Sequence, residues 1–166
     1  GLEADNISAI LGGLKFHIYP CRGEYAELDC SGPGQLSRPV YPEPIAVGGH
    51  LGVHLTPTTW GPIMIGPTSH YQEAKDGYES ERIPVEDFLE PARNLLPSVQ
   101  LENLRLGSTG IRAKLSNDPA VFSDFLIERD PNQQLIIHAA GIDSPGLTAC
   151  IAIARLVAKL VDDVLN

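Results

Sequence analysis

Basic residues are scarce in this chain of 166 residues: 12 Lys and Arg stand against 21 Asp and Glu, a formal charge of -9 with His neutral. That balance lacks the electrostatic footprint of a nucleic-acid binder, although a small anion needs only one or two well-placed Arg side chains. Cysteine is sparse as well. Cys21, Cys30 and Cys150 form no Cys-x-x-Cys pair and leave one over, which indicates neither a zinc site nor a disulfide framework and fits a reducing, cytoplasmic compartment. His17, His50 and His70 show no spacing that makes a metal site. Nothing approaches the roughly 20 uninterrupted apolar residues of a membrane span. The most apolar segment, Leu147 to Leu165, is broken by Arg155, Lys159, Asp162 and Asp163. The only Met is Met64, the chain begins at Gly1, and no charged-then-apolar leader is present, so the expectation is an excised piece of something longer. What remains is globular: 43% of residues are hydrophobic and 20% charged. A chain of this length suits one domain that buries roughly 70% of its unfolded surface.

Residues 1–14 place Ile7, Ile10, Leu11 and Leu14 at helical spacing with Gly12-Gly13 as a stop, which predicts a short amphipathic helix. The runs FHIYP and YAEL predict two strands meeting at Gly23, and the Pro- and Gly-rich stretch of residues 31–49 predicts an extended path with an edge strand. Residues 52–56 and 63–65 predict a hairpin turning at 58–62. VEDFLEPARNLL predicts a helix that Pro91 kinks or restarts. Strands are predicted at 104–115, 125–129 and 135–139, the last an apolar run of the kind buried on both faces. The final helix carries apolar residues around most of its circumference, which predicts that it is mostly buried.

The segment LIIHAAGIDSPGLTACIAIARLVAKLV, residues 135–161, carries the most chemical information: a strand, a loop with Gly141 and Gly146, and a long helix. Ser144 is a candidate N-cap and Pro145 a candidate first helical residue. A glycine-led helix N-terminus lets backbone N–H groups approach a ligand and offers about half a positive charge to an anion or polarised carbonyl. A well-capped structural helix accounts for the same residues.

The run HAAGIDSPGLTACIAIARLVA resembles the C-terminal flavin-binding segment of the FAD-dependent D-amino-acid-oxidase-like superfamily, most closely its L-2-hydroxyglutarate dehydrogenase branch. GLEAD, PCRGEYAEL, GVHLTPTTWGPIMIGPTS and STGIRAKL with DFLIERD resemble further blocks of that branch in the same order. The resemblance implies an α+β fold with a mainly antiparallel substrate-domain sheet. It implies a division into residues 1–134, a substrate-binding domain, and residues 135–166, a strand-loop-helix of the FAD-binding half ending in a long buried helix. The dinucleotide-binding Gly-x-Gly-x-x-Gly turn of the superfamily is not in these residues, so its N-terminal dinucleotide-binding part is an implied partner.

The implied activity is oxidation of a small 2-hydroxy acid by hydride transfer to FAD, with a 2-amino acid or a non-catalytic interaction module as alternatives. A whole enzyme of this kind is cytoplasmic or peripheral to a membrane. By resemblance, Arg112 holds the substrate carboxylate, a role that suits a planar guanidinium fork. Arg22 and Tyr25 border the active site, and strand alternation lets only one of them point inward. Neutral His54 is a candidate base for the hydroxyl proton. Gly141, Ile142, Asp143, Ser144, Gly146, Leu147 and Thr148 are the implied flavin contacts, and His138 is expected to be structural.

Overall fold

The computed structural model describes residues 1–29, 36–43, 52–118, 121 and 123–165. Most of the expected extended path of residues 31–49, together with Cys30 and His50, lies outside the described residues. Within it, Val40 bridges Leu55 through two backbone hydrogen bonds of 2.9 Å. The chain forms two compact units, one of residues 1–21, 71–75 and 111–166 and the other of residues 22–70 and 76–110. We call them the terminal and the central unit. The architecture is α+β. Its main sheet has the strand order β2-β3-β1-β4 with β5 also paired to β1, where β1 is Tyr19–Leu28, β2 His54–Pro57, β3 Ile63–Gly66, β4 His70–Tyr71 and β5 Leu104–Lys114.

The central unit holds the hairpin that alternation predicts. Leu55 pairs with Ile65 and Pro57 with Ile63, while Ala26 of β1 faces Ile65 from the other side. Thr58 closes the turn by donating its N–H and its hydroxyl to Pro62 O, at 3.1 and 2.6 Å. Period two sends Leu55, Ile63, Ile65, Ala26 and Leu28 to one face, where Phe88, Ala92, Val99 and Leu104 complete the core. Pro91 lies in the first turn of α2 (Leu89–Leu95), which follows a 3-10 turn over Val85–Phe88, so its missing N–H is one that the helix does not use.

Two strands meeting at Gly23 are not found. β1 runs unbroken through it, because the polar side chains on either side of that glycine are buried in one ion cluster rather than turned out to solvent.

In the terminal unit α1 (Ala4–Ile10) buries Asp5 and Ser8, while Ile7, Ile10 and Leu11 stay exposed. β6 (Leu126–Arg129) and β7 (Ile137–Ala140) form a two-stranded antiparallel sheet. β7 therefore lacks the burial on both faces that its composition predicts: Ala139 is exposed and Leu135 before it is 86% exposed. The last helix, α3 (Gly146–Leu165), departs from expectation in the same way. Gly146 is its one buried residue among those described, and Leu147, Ile151 and Leu165 are 88%, 67% and 78% exposed. An apolar circumference records how much cover a helix calls for, and the described residues cover only its β6–β7 side. The helix also starts later than predicted. Ala149 N–H donates to Pro145 O, so Pro145 holds the flanking position and Gly146 the first helical one.

Candidate functional site

Arg112 is half-buried on β5, and its Nη1 lies 3.9 Å from Sγ of the fully buried Cys21 on β1. Two residues along the same face, Lys114 makes a 2.9 Å ion pair with Asp143, in the loop before α3. Gly141 of that loop has φ +67° and packs its backbone against the Leu115 side chain, where a Cβ would collide. A glycine is required there on both counts. The terminal unit thus brings the expected carboxylate anchor and the expected flavin loop onto adjoining elements.

Tyr71 joins this group from β4. Gln72 N–H donates to Pro20 O, which sets Tyr71 beside Cys21, and the Tyr71 hydroxyl donates to Ser116 O at 3.1 Å. Burial raises its pKa, Cys21 and Asp143 add to the rise, and the Lys114 and Arg112 cations oppose it.

The central unit brings His54 and Tyr25 to one face. His54 pairs with Gly66, and the Ala26–Ile65 register sets Tyr25 opposite the same glycine. A Cβ on Gly66, whose φ is +142°, would fall 2.8 Å from Tyr25 Cδ1, so the glycine makes room for that ring. This face is opposite the core. His54 stacks on Tyr41, with centroids 4.4 Å apart, and its Nδ1 is 3.2 Å from Gly52 O. A carbonyl only accepts, so it is Nδ1 that donates in this contact, and in a neutral ring the acceptor is then Nε2.

Arg22 takes the other side of β1. It is buried, donates from Nη1 to Gly77 O and Ser80 O at 2.9 and 2.5 Å and from Nη2 to Glu81 O at 2.9 Å, and lies 3.0 Å from Glu24 Oε1. Arg82 holds the other oxygen of the fully buried Glu24 at 3.1 Å. This network fixes residues 77–82 to the strand, and Glu24 and Arg82 were not legible as partners from sequence spacing.

His138 is also buried. Its Nε2 meets Asp130 Oδ2 at 2.6 Å, and Phe16 packs edge-on against its ring. Burial pushes the Asp130 carboxyl up, but hydrogen bonds from His138 and from the N–H groups of Leu14, Gln133 and Asn132 hold it well below the usual carboxylate range. The carboxylate pins the chain after α1 to the turn between β6 and β7.

The loop from Gly141 to Thr148 is the segment whose residues bear on fit to a flavin. Gly141 is buried with a left-handed backbone, and Ser144, Leu147 and Thr148 are exposed at the head of a 20-residue helix, whose first residue, Gly146, already gives its N–H to Asp143 O at 2.6 Å. These features fit one edge of a polar, electron-rich ring. Nothing among the described residues offers a glycine-rich turn for a pyrophosphate, and none form a metal-binding cluster. Gly146 has its own packing reason: a Cβ there would collide with Ile142 Cγ2.

The sequence model of the FAD dependent oxidoreductase family, DAO, matches residues 1–160. The chain belongs to that family. Among relatives of this DAO chain, a glycerol 3-phosphate dehydrogenase of Caloramator mitchellensis is 29% identical over 99% of the chain and 33% of its own length. An L-2-hydroxyglutarate dehydrogenase of Arabidopsis thaliana is 31% identical over 96% of the chain and 36% of its own length. The DAO chain thus spans about a third of these relatives. Among solved structures, an FAD-bound L-alpha-glycerophosphate oxidase from Mycoplasma pneumoniae superposes with TM-score 0.84 at 24% identity, over 98% of this chain and 41% of that one. A glycine oxidase from Geobacillus kaustophilus gives 0.70 at 23% identity, over 98% of this chain and 40% of that one. These two likenesses establish the fold. No helix among the described residues is long and apolar enough to cross a membrane.

Proposed function

We propose that this chain is the substrate-carboxylate and flavin-edge portion of an FAD-dependent oxidoreductase that oxidises a small 2-hydroxy acid of the 2-hydroxyglutarate type. The observation that carries the reading is the Lys114–Asp143 ion pair, which ties the strand of Arg112 to the Gly141–Gly146 loop. Arg112 orients the acid by two parallel hydrogen bonds to its carboxylate. Within the central unit His54 is the candidate base, with Tyr25 on the same sheet face. Arg22 makes its contacts within the central unit and contributes to substrate binding by bracing that strand. FAD, when bound, supplies the acceptor for the hydride that leaves the carbon bearing the hydroxyl. Gly141, Ile142, Asp143, Ser144, Gly146, Leu147 and Thr148 line its edge, and residues 135–166 belong by role to the FAD-binding half.

The exposed apolar residues of α1, β7 and α3 support a partner for this surface, the dinucleotide-binding part of the same enzyme. Burial of Leu147 and Ile151 alone would contribute about 1.5–3 kcal/mol each.

The test is the flavin spectrum of the polypeptide that carries this chain, mixed anaerobically with 2-hydroxyglutarate, glycerol 3-phosphate and 2-amino acids in turn. Bleaching by the hydroxy acid supports the proposal. Bleaching by an amino acid alone transfers the reading to an amine-oxidising relative, bleaching by glycerol 3-phosphate alone removes the carboxylate role of Arg112, and a colourless protein with intact fold supports a non-catalytic module.

A further inference from the structure

We infer that the groove between α1 and β7 is a strand-addition slot, in which an extended segment of the dinucleotide-binding part pairs with the outer edge of β7. The inference rests on the partner proposed above for this surface and names the backbone groups that receive it.

One wall of the groove is a helix face and the other is a strand edge. Glu3, Ala4, Ile7, Ser8 and Leu11, spaced as one face of α1 and its two caps, stand across a volume of about 330 Å³ from residues 136–140. Side chains of a strand alternate between its faces, so five consecutive residues share a wall only along the edge. The register with β6 tells which backbone groups lie there. Asp130 N–H donates to Ile136 O at 2.9 Å, and two and four residues on, His138 is opposite Glu128 and Ala140 opposite Leu126. In an antiparallel ladder such hydrogen-bonded pairs alternate with pairs whose N–H and C=O groups point away from each other. Ile136, His138 and Ala140 therefore direct their groups to β6, while Ile137 and Ala139 turn theirs to the groove. Among the described residues β6 and β7 form a sheet of two strands, and no third strand meets this edge.

An edge that faces solvent is normally blunted by lysine, proline or a bulge. β7 has none of these, and its pairing with β6 runs unbroken from Ile137 to Ala140. Two strands alone are marginal in water, and a third with apolar cover is what stabilises such a sheet. Ile7 and Leu11 are exposed on the facing helix wall and supply that cover once a strand lies between them and β7. The occupant is thus an extended segment that matches the four residues of β7, with one open edge and apolar side chains toward α1. The relatives supply its source, since this chain spans only about a third of each. Because β7 runs from Ala140 directly into Gly141, a filled slot also holds one end of the proposed flavin loop.

The experiment is residue-resolved amide hydrogen exchange, followed by NMR, on the polypeptide that carries this chain. His138 and Ala140, bonded to β6, are the internal standards. Ile137 and Ala139 should exchange at rates within about tenfold of those standards, because a filled slot protects both edges of β7. Faster exchange than that overturns the inference, and this arm needs no variant. Ala139→Pro removes an N–H that β6 does not use. With the slot filled it should speed exchange at Ile137 by more than about tenfold and lower Tm, whereas an open edge accepts the proline with neither change and refutes the slot. Protection that fades on about tenfold dilution, in a protein that light scattering finds dimeric, gives the slot to a second copy and overturns the choice of occupant. Flavin bleaching separates this outcome from the oxidase reading. Protected amides in a protein whose flavin no hydroxy acid bleaches support the slot and remove the substrate, and a bleaching enzyme with rapidly exchanging Ile137 and Ala139 removes the slot alone.

Discussion

Replacing Arg22 with Met keeps the apolar stem and removes the guanidinium. The structure then loses three hydrogen bonds to the carbonyls of Gly77, Ser80 and Glu81, and Glu24 loses one of its two cations. Glu24 is fully buried and Arg22 is 4% exposed, so solvent screens little of this change. Removing one partner of a buried ion pair costs about 3–5 kcal/mol. Arg82 stays at 3.1 Å from the carboxylate, which sets the expectation at the low end, about 3 kcal/mol. In a chain of this length 1 kcal/mol moves Tm by about 2–4 °C, so thermal unfolding followed by circular dichroism should show a fall of about 6–12 °C. Arg22→Lys should recover little, because a single ammonium cannot span three carbonyls. The same melts on Glu24→Gln and the double variant should give a coupling energy above about 1 kcal/mol. A drop below about 2 °C for Arg22→Met would refute the brace and return Arg22 to a direct substrate role.

Further expectations concern pH, the head of α3 and the cofactor. The folded pKa of Asp130 is depressed, so its contribution is fully present above the unfolded carboxylate value of about 3.9 and is lost as pH falls through the lower folded value. Asp5, lowered by Lys75 and the N–H groups of Ile18 and Asn6 against the opposing effect of burial, adds in the same direction. Tm should therefore fall below about pH 4, less steeply in Asp130→Asn, and an unchanged Tm at pH 3 contradicts this. Gly146→Ala should lower Tm because the new methyl meets Ile142 Cγ2, and Ile142→Ala should relieve it; a Gly146→Ala protein more stable than its parent removes the steric reading. The 166-residue chain by itself should bind FAD weakly in titration calorimetry, since it carries no pyrophosphate turn, and submicromolar affinity would show a complete site.

Local chemistry was readable wherever it followed from period or turn residues. The alternation of Leu55 with its neighbours and the turn around Thr58 predict the hairpin, which the structure holds. Three things were not readable. Gly23 looks like a break between strands, and only the long-range cluster of Arg22, Glu24 and Arg82, some 58 residues apart, explains why the strand continues through it. The apolar residues of α3 and β7 state a need for cover without stating what meets it, so burial read from composition failed at Leu147 and Leu135. Tyr71 stands in a polar stretch with no motif, and its place beside Cys21 depends on a pairing with β1. Gly146 was legible as a special position, but a helix-head glycine reads the same whether a ligand or Ile142 fills the space above it.

The central claim is tested most directly by Arg112→Lys in the flavin-loaded enzyme, with kcat/KM for the 2-hydroxy acid and flavin content measured on the same preparation. A lysine keeps the charge and loses the fork, so the account predicts unchanged flavin occupancy and a loss of about 2–4 kcal/mol in transition-state stabilisation, roughly 30- to 1,000-fold in kcat/KM. A fall of less than about tenfold with full flavin content would contradict it.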